Sequence, residues 1–480
     1  MLKNILGLDI KFFFLNDLKK HFNNLNINKN YIHIVSEKNN LIRMADLFFN
    51  KFKSPMEYLK SENIPKIEYT ANIYSPKNSH SAYKNNYSDI DSQARGLESD
   101  FESLPVFFSK PDFSFITKTA VNPEKNGPCS VFTIDTDLCA AAFFMLTRWE
   151  EYVLSAENPQ KMDIYNRFPF HESLAYKNNF LHRPVVNEYA EILWYFIKKA
   201  GSVQTPKRQG FKIFPSHDID SAEFPFSLKS LAGDILKRHD LNLFLNRLKI
   251  KTGIKKDPYV NFSYLMDLSE KAGLQSHFYF MSCSKGPYQK GYDPENIKFK
   301  NIFCEIFKRG HIIGFHPGFN TEKDPGLFNK EKNRLNQIIG RAINNPDFSV
   351  KQGRQHCLRF AAPFTWNIWN EAGLETDSTL GYAGHEGFRC GTGCIYPVFD
   401  FLNQKMLSLK EMPLIIMDGT LTNYRNLDYH ESLDILNYYC RASQIFEMPF
   451  TLLFHNSSIN NLLEPWKSWG NVYAAFLSAF

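Results

Sequence analysis

At 480 residues, with 43% hydrophobic and 22% charged side chains, the chain is made like a globular protein and is too long for one ordinary core. The net charge of +6 comes from 56 basic and 50 acidic residues that look interspersed along the chain, with no aromatic-interleaved basic stripe, so nucleic acid is not expected as a partner. No stretch is long and apolar enough for a transmembrane segment.

The N-terminal MLKNILGLDIKFFFLNDLKK is interrupted by Asp9, Lys11 and Asp17 and has no continuous apolar region for a signal peptide. The eight cysteines show no disulfide framework; Cys390 and Cys394 are the one close pair, with no second pair to complete a zinc tetrahedron. Reduced thiols and a cytoplasmic location are therefore expected. A polar loop is expected from Tyr74 to Gly96. Residues 130–153 read as a strand entering a helix through Phe143, Leu146 and Trp149, a spacing that implies core. His171 and Arg183 read as structural. The helical AEILWYFIKKAG then gives way to polar SVQTPKRQG. This places a boundary between an accessory domain over 1–205, of α+β or α/β type, and a second domain over 206–480.

The second domain repeats one grammar. FSYLMDLSEKA stops at Gly273 before QSHFYFM, FKNIFCEIFKR stops at Gly310 before HIIGF, and FTWNIWNEA stops at Gly373. Helices capped by glycine and followed by short apolar strands predict an α/β fold with a parallel sheet. In such folds the functional side chains collect where strands end.

The strand FKIFPSHDID ends in a cluster of ionisable groups. Residues two apart in a strand share a side, so Asp218 and Asp220 present two carboxylates together while His217 faces away. Like charges so close call for a shared cation or a retained proton. Alone, Asp-x-Asp is as well explained by a turn or a helix cap. Other strand ends add His316 after HIIGF, Arg354, His356 and Arg359 on RQHCLRF, and His455 with Asn456 after PFTLLF. Carboxylates and imidazoles at one end of successive strands point to a hydrolytic metal site.

At these residues the chain resembles the polysaccharide deacetylase superfamily, carbohydrate esterase family 4, over roughly Phe211 to Ser458. The resemblance implies a distorted (β/α) barrel of seven strands and a divalent metal, zinc in the family, that serves removal of acetyl groups from amino sugars. It makes Asp218 the catalytic base, Asp220 a metal ligand, and His316, in Gly310-His311-Ile312-Ile313-Gly314-Phe315-His316, the first metal histidine. Asn320 stands where the family has its second histidine, so the third ligand is left open between Asn320 and His356, with a metal-free site as a further alternative. Arg359 before Pro363 matches the arginine that orients the base, a role Arg354 could also fill. His455 in Leu453-Phe454-His455 matches the proton donor to the leaving group.

A subgroup associated with bacterial surface-polysaccharide biosynthesis is resembled further in Arg354-Gln355-His356, in 377–382 and 387–392, and in Glu411-Met412-Pro413-Leu414 with Met417-Asp418. Its N-terminal domain of unknown function is resembled around Arg183 to Tyr189. Arg354, Arg389, Asp377 and Tyr382 are the expected substrate-binding residues, with an ion pair that braces loops as the other reading of Arg389 and Asp377. The function implied is N- or O-deacetylation of a bacterial polysaccharide or its glycan precursor. The alternatives are a catalytically degenerate carbohydrate-binding protein, motivated by Asn320, and a hydrolase of non-sugar amides.

Overall fold

The computed structural model describes residues 31–35, 41–45, 66–68, 103–105, 117–121, 129–134 and 137–480, apart from 283–285, 287 and 289–291. The N-terminal twenty residues and the loop expected over Tyr74–Gly96 lie outside the described residues. In chain order the first part carries β1 (Tyr31–Val35), β2 (Leu41–Ala45), β3 (Lys66–Glu68), β4 (Ser103–Pro105), β5 (Thr117–Val121) and β6 (Cys129–Ile134). Helices α1 (Leu138–Thr147), α2 (Trp149–Glu157), α3 (Leu174–Lys177) and α4 (Val185–Lys199) follow. Contacts divide the chain into one unit of Leu2–Leu146 with Val185–Arg208 and another of Thr147–Pro184 with Gln209–Phe480.

In the first unit the strands are ordered β1-β2-β6-β5, with β2 and β6 parallel and both outer pairings antiparallel. Helix α1 buries Leu138, Ala140 to Ala142 and Phe144 to Leu146, as an all-apolar helix must. On α4, Phe196 meets Phe132 of β6 with ring centroids 6.3 Å apart.

The second unit is built on a nine-stranded sheet. Its strands are β7 (Ile213–Ile219), β8 (His277–Phe280), β9 (Ile312–Phe315), β10 (Gln352–Gly353), β11 (Thr376–Asp377), β12 (Tyr396–Asp400), β13 (Lys405–Glu411), β14 (Ile416–Met417) and β15 (Phe450–Leu453). They are ordered β12-β13-β11-β10-β9-β8-β7-β15-β14. All adjacent pairs are parallel except β12 with β13, so the α/β class with a parallel sheet is what forms. The sheet has nine strands where the resemblance implies seven; β12 is an added antiparallel edge and three others are only two residues long.

The helices α5 (Leu228–Leu236), α6 (Leu241–Lys251), α7 (Phe262–Lys271), α8 (Ile297–Lys308), α9 (Pro325–Ile343), α10 (Phe364–Glu371), α11 (Tyr429–Ile445) and α12 (Trp469–Leu477) lie between and after the strands. The expected caps after α7, α8 and α10 are left-handed at Gly273, Gly310 and Gly373. Strand β8 is buried at every position, the mark of a strand covered on both faces.

One expected strand is cut short. RQHCLRF itself does not join the ladder, whose strand ends at Gln352–Gly353, and His356–Leu358 form a 3-10 turn with Cys357 and Leu358 at positive φ. The turn carries His356 to His316 and Asp220, on the side of the sheet where Arg354 meets Asp218. Gly353 makes the preceding approach possible: a Cβ there would stand 1.9 Å from the Phe315 carbonyl oxygen. That contact sets Arg354 N–H on Phe315 O at 3.0 Å and brings the Arg354 carbonyl alongside His316.

Candidate active site

The alternation expected of β7 holds. His217 is fully buried on the side opposite the carboxylates, its Nδ1 2.7 Å from the Phe454 carbonyl and its ring stacked on Phe278. Burial pulls this imidazole down to about 4, so it is neutral and part of the core. Asp218, 2% exposed, accepts from Arg354 Nη1 at 2.8 Å. Arg354 is itself wholly buried and anchored by Nε on Ser378 O and Nη2 on Ser378 Oγ, with its guanidinium over the Tyr279 ring. It thus braces the carboxylate in one orientation. Arg359 does not reach Asp218; it pairs with Glu322 at 2.6 Å and lies 3.9 Å over the Phe319 ring.

Asp220, His316 and His356 converge. His316 Nε2 is 3.1 Å from both Asp220 Oδ1 and His356 Nδ1, and the third edge, Asp220 Oδ1 to His356 Nδ1, is 3.3 Å. Donors on a tetrahedral zinc at about 2.05 Å would stand about 3.3 Å apart, so the triangle has the size a small divalent cation requires. Oδ1 of Asp220 is buried and makes no hydrogen bond. The remaining nitrogens face backbone carbonyls: His316 Nδ1 lies 2.6 Å from Arg354 O, and His356 Nε2 3.4 Å from Tyr288 O. Imidazoles fixed in this way turn their other nitrogen's lone pair toward a metal. Three acceptors aimed at one another need a proton or a cation between them, and the donor set fits a borderline metal such as zinc.

The electrostatics agree. Burial pushes Asp220 up, but the His356 charge and the two imidazole contacts outweigh it and hold the carboxyl well below its usual range. Burial pulls His356 down, and Asp220 more than reverses this. The cluster is therefore a place that stabilises positive charge. Asn320 is exposed on the turn after His316. Accordingly, Asn320→Ala should leave zinc affinity, measured by chelator competition, within about twofold of the unsubstituted protein.

His455 stands at the end of β15, with Nε2 3.6 Å from Asp220 Oδ2 and Nδ1 2.8 Å from Asp418 Oδ1. Asp418 is fully buried and also accepts from the backbone N–H of Gly419 and His455 and from Ser458 Oγ. Burial raises Asp418, but His455 and these donors lower it below its ordinary value. Burial likewise disfavours the His455 imidazolium, yet Asp418, then Asp220 and Asp218, lift it to about 10. Asp418 thus favours the doubly protonated form of the imidazole beside the Asp220 cluster. The sequence placed Asp418 only within a matching segment; its service to His455 depends on β14 pairing with β15, which local pattern does not reveal.

The expected substrate residues lie differently. Arg389 is 2% exposed and bound bidentately to Glu151, at 2.8 Å from Nε and 2.6 Å from Nη2. Glu151 is shared with Arg148 Nε at 2.7 Å. Burial raises this carboxyl, and the two arginines together bring it below its ordinary value. Arg389 therefore ties Thr147–Pro184 to the sheet-bearing part of its own unit. Arg389→Ala should cost about 3–5 kcal/mol in urea unfolding, because it strands a buried charge. Tyr382 stacks near Arg389 and accepts from Arg148 Nη2 at 3.2 Å. It lines a cavity of about 160 Å³ whose walls also include Arg167, Phe170, His171, Leu358 and Tyr424. The cavity abuts the chemistry through Leu358, which follows His356 by two residues and clusters with Met417 and Leu453. No periodicity or motif marks the Asp163–His171 wall.

Asp377 is fully buried and register-paired with Glu411 on the neighbouring strand, so it offers nothing to solvent. Burial raises both carboxyls, and repulsion from Asp377 adds to the rise of Glu411, which lies far above its ordinary value. The folded state then holds a proton that the unfolded chain releases above about pH 4, so stability should fall as pH rises from there toward neutrality. Glu411→Gln should flatten that decline, read from urea midpoints at acid and neutral pH. The thiols of Cys390 and Cys394 are both buried, and burial pushes Cys390 up to about 12, consistent with core rather than ligand roles.

Solved structures that resemble the chain include a Mycobacterium smegmatis protein assigned as a polysaccharide deacetylase, with 14% identity, a TM-score of 0.37, and coverage of 58% of this chain and 86% of that one. The polysaccharide deacetylase Bc1974 from Bacillus cereus gives 11%, 0.27, 55% and 85%. The catalytic domain of peptidoglycan N-acetylglucosamine deacetylase from Eubacterium rectale ATCC 33656 gives 12%, 0.26, 57% and 90%. No curated protein matches. Among family descriptions, a family of unknown function, DUF7033, matches residues 1–202, which include the Arg183–Tyr189 segment.

Proposed function

We propose that the second unit is a metal-dependent hydrolase on a (β/α) barrel that removes acetyl groups from the sugars of a bacterial polysaccharide or its glycan precursor. The observation that carries this reading is the convergence of three assemblies at one end of the sheet: Asp218 with Arg354, Asp220 with His316 and His356, and His455 with Asp418. Asp220, His316 and His356 would hold the cation, which when bound polarises a water and the acetyl carbonyl. Asp218, braced by Arg354, accepts the proton of the attacking water. His455, kept protonated by Asp418, gives a proton to the departing nitrogen or oxygen as the bond breaks. The base and acid thus differ in their partners: a cation steadies the base and a buried carboxylate charges the acid.

The barrel is supported by the segment between β13 and β14, which bonds to both ends of the open strand order, Leu414 N–H to Leu380 O after β11 and Ile415 N–H to Thr451 O on β15. The role of Asn320 as a ligand is not favoured, because an imidazole already occupies the third corner. The test is acetate release from N-acetylated and O-acetylated oligosaccharides by protein loaded with stoichiometric zinc. Zinc binding without acetate release from either substrate would leave the fold and remove the assigned reaction.

A further inference from the structure

The α5–α6 hairpin carries a local excess of basic residues: residues 226–256 hold eight Lys and Arg against two Asp, with Glu223 and Asp257 flanking them. Both aspartates are engaged locally. Asp234 is buried against Arg247 and Arg238, and Asp240 caps α6 through Leu243 N–H. Lys229, Lys237, Arg238, Lys249, Lys251, Lys255 and Lys256 are all exposed.

The same hairpin carries large apolar side chains in water. Leu228 is 85% exposed, Leu236 75%, Leu241 62% and Ile254 78%, with Phe226, Ile235 and Leu245 also exposed. These are not the inner face. On α6, Leu243, Arg247 and Ile250 turn inward, with Leu243 in a cluster with Phe224 and Tyr259, while Leu241 and Leu245 point out. On α5, Leu228, Ala232, Ile235 and Leu236 follow helical spacing along one exposed stripe. α5 thus leaves an apolar stripe uncovered, and α6 adds exposed Leu241 and Leu245 among Asn242, Lys249 and Lys251.

We propose that this hairpin docks the protein on the surface of an anionic lipid bilayer, the leucines and isoleucines entering the headgroup region and the lysines meeting lipid phosphates. Aliphatic residues interleaved with lysine suit an interface of acyl chains and anionic headgroups. Nucleic-acid phosphates would meet the lysines but leave the exposed leucines and isoleucines in water, so the bilayer is favoured. No helix among the described residues is long and apolar enough to cross a membrane, so the contact is with the surface. The hairpin leaves the sheet directly after Asp220. Its base is tied by Asn456, next to His455, whose side-chain amide donates to Ser221 O and Tyr259 O, each at 2.8 Å.

The experiment is sedimentation of the full chain with phosphatidylcholine vesicles and with phosphatidylcholine–phosphatidylglycerol vesicles, at low and physiological salt. Binding is expected to the anionic vesicles and to weaken with salt. Lys237→Glu and Lys251→Glu should each reduce it by about fivefold or more. Leu236→Glu with Leu241→Glu should abolish it; all four sites are exposed, so circular dichroism and zinc content should not change. Equal binding to neutral vesicles, no binding to either, or undiminished binding by the leucine variant would overturn the proposal. So would a native mass showing a dimer that the leucine variant converts to monomer, since a second copy would then cover the face. The vesicle readout is independent of the deacetylase reading: failure to release acetate would leave it standing.

Discussion

Asp218→Asn should lower acetate release by about 10²–10⁴-fold while leaving zinc stoichiometry and affinity unchanged. The asparagine keeps the shape of the side chain, and its amide oxygen can still accept from Arg354, which holds Asp218 at 2.8 Å. What would be lost is the charge that, in the proposed mechanism, takes a proton from water. The three corners of the cation triangle do not include Asp218, whose nearer approach to His316 is 3.8 Å at Nδ1, the nitrogen turned away from the triangle. A loss of zinc in this variant would show that Asp218 is a ligand and would remove it as the base. Because Arg354 is wholly buried, the variant must be compared at matched fraction folded. Undiminished turnover by folded, zinc-loaded Asp218→Asn would end the mechanism.

His316→Ala should have the opposite signature, a weakening of zinc binding by more than about 100-fold, with activity lost in consequence. Its Nε2 forms two of the triangle's three edges, each 3.1 Å, so its removal leaves Asp220 and His356 as a two-donor site. Two donors do not enclose a tetrahedral ion. The contrast with Asn320→Ala isolates the point, since both residues belong to the motif that follows Gly310 but only one turns inward. Zinc retained at full affinity by His316→Ala would place the ion elsewhere.

Local pattern alone carried much of the second unit. Glycine after an amphipathic helix, then four or five apolar residues, located β8 and β9 because a strand covered on both faces admits little else. The Asp-x-Asp period put Asp218 and Asp220 together and His217 in the core, a consequence of the two-residue repeat of an extended chain. Pairings across many residues were not legible in this way. Arg354 rather than Arg359 meets Asp218, because strand order sets β10 three places from β7, across β9 and β8, and the turn at Cys357 carries Arg359 off to Glu322. Of the two readings the sequence allows for Arg389, substrate contact or an ion pair bracing loops, the second is what forms, and its partner Glu151 lies 238 residues away in sequence.

The sequence by itself thus determined the α/β class of the second unit and most of the residues that gather at its strand ends, since helix and strand periods and capping are local properties. Tertiary structure alone decided the third corner of the Asp-x-Asp cluster. His356 fills the corner that Asn320 leaves, because a left-handed turn and a glycine without a side chain let β10 close on β9. It also decided that α5 keeps an apolar stripe and α6 its Leu241 and Leu245 in water, since an amphipathic pattern states which face is apolar and only packing states whether anything covers it.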